Sequence, residues 1–108
     1  MSDSTLRTLE VTAADQWLEV PSHNAREIVE RHISGYATAT PDSGTLGGTT
    51  ISVQIRRDPT KPWRTLVEEG TYADIAFDKV LETGNCTYIR IGVKSGDFVA
   101  PVTVESDA

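Results

Sequence analysis

Between Gly47-Gly48 and Asp58-Pro59 the chain reads Thr-Thr-Ile-Ser-Val-Gln-Ile-Arg-Arg, residues 49–57. Ile51, Val53 and Ile55 fall on one parity; Thr50, Ser52, Gln54 and Arg56 fall on the other. β-Branched residues at a period of two, bounded by turn formers, predict a strand with one buried and one wet face. Thr87–Lys94 repeats the pattern, with Thr87, Ile89, Ile91 and Val93 against Tyr88, Arg90, Gly92 and Lys94. Shorter alternations cover Gln16–Val20, which Pro21 closes, and the return run Trp63–Val67. In Phe98–Glu105, Ala100, Val102 and Val104 share the inward parity. Leu6–Thr12 is weaker: Leu9 and Val11 share a face and Leu6 breaks it. That segment reads as an edge strand or as an arm reaching another subunit.

Two segments fit more than one element. In 22–34, Asn24 followed by Glu27 resembles a capping box before Ile28 and Val29. The same letters place Val29, Arg31 and Ile33 on one side of a strand, the preferred reading, and Ser34-Gly35 ends either version. Ala73–Leu81 carries Ile75, Phe77 and Leu81 on one parity and fits a strand or a short helix. Turn chemistry is plain in Pro41–Gly48, Asp58–Pro62, Glu82–Asn85 and Ser95–Asp97, and Glu68–Tyr72 reads as a polar link. The expected fold is all-β: a small antiparallel β-sandwich, immunoglobulin-like or jelly-roll-like, with a short helix near 24–33 as the variant. Residues 1–21 form an N-terminal arm or edge strand, 22–106 the sandwich, and 107–108 a tail.

At 108 residues the chain suits one domain. A formal charge of −6 makes a general nucleic-acid binder unexpected, since phosphate binding uses clustered Lys and Arg. Arg56, Arg57, Lys61 and Arg64 are nevertheless close in sequence, as a solvated turn or a phosphate-binding patch. A single cysteine, Cys86, leaves no internal disulfide and suits a reducing compartment. The opening residues lack a signal-peptide pattern, and no apolar run approaches the roughly 20 residues that span a bilayer.

Catalytic patterns do not assemble. His23, His32 and Cys86 lack the short spacings of a zinc site. Glu68 and Glu69 are adjacent, so in an extended chain they point to opposite faces and do not share an acid–base site. Gly44, Gly47 and Gly48 precede a strand, and no helix N-terminus follows to hold a phosphate. We expect no enzyme, cofactor or metal. Among the aromatics, Phe77 is a core candidate. Trp63, between Pro62 and Arg64, reads as core, as an edge residue of the kind that anchors interfaces, or as part of a ligand platform. The candidate interface residues are Trp17, Arg56, Arg57, Trp63 and Arg64.

Three segments carry a family likeness: Ile33–Tyr36, Gly48–Asp58 leading to Trp63-Arg64, and Tyr88–Asp97. Together they resemble small virion structural proteins of tailed bacteriophages. There, a strand, a short turn and a Trp precede a Tyr-Arg-x-Gly strand and a Gly-Asp turn. The likeness covers about residues 33–104, although Asp58–Pro62 stands where a glycine-rich turn is usual. It implies a non-enzymatic β-sandwich on a phage particle, assembled in the host bacterial cytoplasm. The first role is a capsid decoration (cement) subunit, bound to the major capsid protein or other virion proteins, with self-association, trimeric by family analogy. A neck or tail adaptor is the variant. A carbohydrate-binding module for host attachment, with a glycan ligand, is the alternative from another class.

Overall fold

The computed structural model describes residues 6–20, 29–70, 75–83 and 88–107. Eight strands run β1 (Leu6–Val11), β2 (Gln16–Val20), β3 (Val29–Ala37), β4 (Ile51–Arg56), β5 (Arg64–Glu69), β6 (Phe77–Thr83), β7 (Tyr88–Val93) and β8 (Val102–Asp107). They form two four-stranded antiparallel sheets, β1-β8-β3-β6 (sheet A) and β2-β7-β4-β5 (sheet B). Strand 1 lies beside 8, 2 beside 7, 3 beside 6 and 4 beside 5. That is one long four-tiered hairpin, rolled up by the additional β3–β8 and β4–β7 pairings. This connectivity is the jelly roll, so of the two sandwich types expected the fold takes the second.

Alternation along the strands builds the core between the sheets. Val11, Ile33, Phe77, Val102 and Val104 from sheet A meet Val20, Ile51, Val53, Ile89, Ile91 and Val93 from sheet B, all at most 2% exposed. Leu46 joins them from the 38–50 connection, where Gly44, Gly47 and Gly48 take positive φ and Pro41–Ser43 makes one 3-10 turn. Thr49 fastens that connection. Its hydroxyl donates to the Ala100 carbonyl at 2.7 Å and accepts from the Val99 and Ala100 amides at 3.0 and 2.8 Å.

Several boundaries differ from the pattern. Ser34-Gly35 does not end β3, which continues to Ala37. A side chain at Gly35 would strike the Ile51 methyl from the opposite sheet, so this glycine admits a neighbour and does not stop a strand. Glu68 and Glu69 belong to β5 and not to a link. They point apart as extended neighbours do, Glu68 to Lys94 and Glu69 to Lys79 at 3.2 Å. In the C-terminal run, residues 98–101 lead into β8, whose pairing extends through Asp107. Leu6–Val11 takes the edge-strand form, paired with β8 along its whole length. Asn24–Glu27 and the Gly84-Asn85 turn lie outside the described residues.

Candidate interaction surface

Outward residues of sheet B come from three strands. Register places Trp17, Gly92 and Ser52 in one row, Glu19, Arg90 and Gln54 in the next, and Tyr88 beside Arg56 in the third. Gly92 has no side chain to fill the first row, and Trp17 occupies that space. A Cβ on Gly92 would lie 3.0 Å from both Cα and Cε3 of Trp17 and would strike the Gln16 carbonyl. Trp63 comes from the 57–63 turn, which is tightened by Asp58. Its carboxylate accepts from the Thr60 amide at 2.8 Å and from the Thr60 hydroxyl, and its carbonyl accepts from the Lys61 amide at 3.0 Å. These hydrogen bonds from Thr60 hold the Asp58 carboxyl below the ordinary aspartate value.

The result is a chain of cation–aromatic contacts across the sheet. The Arg90 guanidinium carbon lies 4.1 Å from the Trp17 ring centre and 4.5 Å from that of Trp63. Arg56 lies 4.2 Å from Trp63 and 5.8 Å from Tyr88. Guanidinium is planar and weakly hydrated, so it stacks on aromatic faces at little desolvation cost. Hydrogen bonds fix the stack in place. Arg90 Nε donates to Gln54 Oε1 at 2.8 Å, Gln54 Nε2 donates to Thr65 Oγ1 at 3.2 Å, and Trp17 Nε1 donates to Asp15 Oδ1 at 2.9 Å. Burial lowers the Arg90 pKa, with Asp15 and Glu19 acting in the opposite direction.

The wet face expected for β4 is therefore a covered one. Ser52 is 0% and Gln54 8% exposed, although both point away from the core. Large side chains from β2, β7 and the turn form a second layer over them.

At the end of β4 the surface opens into a groove of about 400 Å³, lined by Ile55, Arg56, Arg57, Lys61, Pro62 and Arg64. Of the five expected interface residues, Trp17, Arg56 and Trp63 enter the stack. Arg57 and Arg64 line the groove, and Arg56 belongs to both. Sequence reasoning missed Arg90 and Tyr88. Their outward parity on Thr87–Lys94 was visible, but nothing local places β7 between Trp17 and β4.

Other chemistry is sparse. Among the described residues no three His, Cys, Asp or Glu side chains are placed to hold a metal ion. His32 touches Asp78 on the outer face of sheet A; His23 and Cys86 lie outside the described residues. No helix among them is long and apolar enough to cross a membrane. Comparisons with protein-family models, with curated proteins and with solved structures find no match for this chain.

Proposed function

We propose that the chain is a non-enzymatic structural subunit of a tailed-phage particle, a capsid decoration protein that docks through the outer face of sheet B. The observation that carries the docking reading is the stacked face itself. Trp17, Arg90, Trp63, Arg56 and Tyr88 make one continuous surface of half-buried aromatics and arginines. These residue types dominate the energetics of protein interfaces. The virion setting is supported by the resemblance of three segments, two of which lie in the neighbouring strands β4 and β7. The jelly roll occurs in both capsid proteins and lectins, so it is compatible with that setting by analogy and does not select it. A subunit that binds only the assembled shell stabilises the shell by mass action. Partners are then the major capsid protein or other virion proteins, with further copies of this chain around a symmetric site.

The test is mass spectrometry of purified particles to count the chain, followed by electron cryo-microscopy to see which face meets the shell. Many copies on the shell through sheet B support decoration; a small ring-like number moves the chain to the neck or tail. Absence from particles sinks the virion reading and makes a glycan array the next measurement. Trp63→Ala should weaken binding to particles by about 2 kcal/mol or more while costing the free subunit less. Equal losses in binding and stability would remove Trp63 from the interface.

A further inference from the structure

We infer that the groove beside the stacked face is a carboxylate-binding site for an acidic, extended segment of a partner protein. The inference rests on reading the chain as a docking subunit, but not on the virion setting.

The hairpin itself makes the site. Register sets Ile55 opposite Arg64. The end of β4, the turn and the start of β5 thereby bring Arg56, Arg57, Lys61 and Arg64 around one cavity with Ile55 and Pro62. The chain has ten Lys and Arg in all, so four of ten line one groove of a protein whose net charge is −6. None of the four has an ion-pair partner among the described residues, where the pairs are His32–Asp78, Lys79–Glu69 and Lys94–Glu68. Asp58, hydrogen-bonded by Thr60, offsets part of the charge of Lys61 and Arg56, which in turn help to lower its pKa, but it forms an ion pair with neither. Arg56 uses one amino group on the Pro59 carbonyl at 3.4 Å, and its Nε has no acceptor among the described residues. Like charges gathered in a concavity repel one another, and an incoming anion relieves that repulsion.

Guanidinium forks accept carboxylate and phosphate alike, so the surroundings decide between them. A nucleic-acid strand needs a cationic track that follows its backbone. Here Arg90 continues the positive surface along the stack through Trp63. But Asp15 and Glu19 act on Arg90 from β2 and the residues before it, and β5 continues from the groove into Glu68 and Glu69. A short acidic segment meets only the cations, and its aliphatic stems find Ile55 and Pro62. β5 is also one of the two edge strands of sheet B. An extended peptide can add to that edge and so fix the position of its carboxylates. Stacking on Trp63 holds Arg56 in place before the ligand arrives, which reduces the ordering cost of binding.

Titration of the isotope-labelled full chain with a hexaglutamate peptide at low ionic strength tests this. The expected result is amide shifts concentrated in residues 55–64, suppressed by added salt. R57Q/R64Q, both at exposed positions, should weaken the affinity about tenfold with the unfolding curve unchanged. Absent shifts, or shifts that survive R57Q/R64Q, would overturn the proposal. Tighter binding of a hexathymidylate oligonucleotide through the same amides would overturn the assignment to carboxylate. Peptide binding by a chain absent from particles would leave the groove intact and remove the virion role. Particle binding by a chain blind to the peptide would do the reverse.

Discussion

The two outer faces of the sandwich start from the same alternation and end differently. On sheet A, Glu10, Glu30, His32, Asp78, Glu105 and Asp107 stand outward by parity. Leu6 and Val80 stand exposed beside Asp107 and His32, and the other neighbours include hydroxylated side chains. Ser34 and Tyr36 each donate to Glu105 at 3.3 Å, and the Thr38 and Thr103 hydroxyls meet at 2.8 Å. Burial and the adjacent Glu105 carboxylate raise the Tyr36 pKa. This is a hydrated, acidic surface one side chain deep. On sheet B the outward polar residues Ser52 and Gln54 are covered by tryptophan and arginine side chains. The same polar–apolar pattern thus codes for a solvent face in one sheet and for the lower layer of a cation–aromatic stack in the other. The large outward residues, and the glycine that makes room for one of them, account for the difference.

Substitutions at the two in-sheet glycines should separate the sheets most sharply. Gly92→Ala drives a methyl into the β2 backbone and should cost about 2–3 kcal/mol in urea unfolding. Gly35→Ala meets only the tip of Ile51, which can turn aside, and should cost about 1 kcal/mol. Equal losses would mean that β2 yields as easily as a methyl group. Next comes the stack: Arg90→Ala loses two ring contacts and the bond to Gln54, for about 1.5–3 kcal/mol. Glu105→Gln on sheet A should change stability by about 0.5 kcal/mol or less. A large Glu105 effect would show that the acidic face also has a structural layer.

The smallest effect concerns the turn that presents Trp63. The Asp58 carboxyl has a pKa below its ordinary value of 3.8 in the fold. Its contribution is therefore complete above the unfolded-state pKa and is lost as pH falls through the lower folded value. An NMR titration should place the Asp58 midpoint below 3.8, with the Thr60 amide shift following the same curve. A midpoint at or above that value would remove the carboxylate clamp from the turn.

The strands whose two faces differ chemically were legible: Ile51–Arg56 and Tyr88–Val93 follow their alternation closely. Phe77 was recognisable as core by its large apolar ring, although its segment fits strand or helix. Residues whose role is set by a distant strand were not. Gly35 looks like a terminator until Ile51 is known to face it across the core. Glu68-Glu69 looks like a link until Lys94 and Lys79 are near. The groove lay closer to the surface of the sequence, because a hairpin brings together cations only a few residues apart. The stack needed the strand order of sheet B, which no local pattern supplies. Leu66 has no counterpart in the β4–β5 register, which shifts between Val53 and Gln54. That offset, too, is invisible in the alternation.

The rolled-hairpin topology sets a constraint on synthesis. β7 is the strand that joins β2 to β4, and β8 is the strand that joins β1 to β3. A nascent chain that has emerged only as far as Thr83 holds the pairs β4–β5 and β3–β6, while β1 and β2 wait without hydrogen-bonded strand partners. Two-stranded units are marginal in water, and their open edges invite association with other chains. Neither sheet can close until β7 and β8 have left the ribosome. A polypeptide truncated ahead of Tyr88 thus has, among the described residues, no sheet wider than a pair.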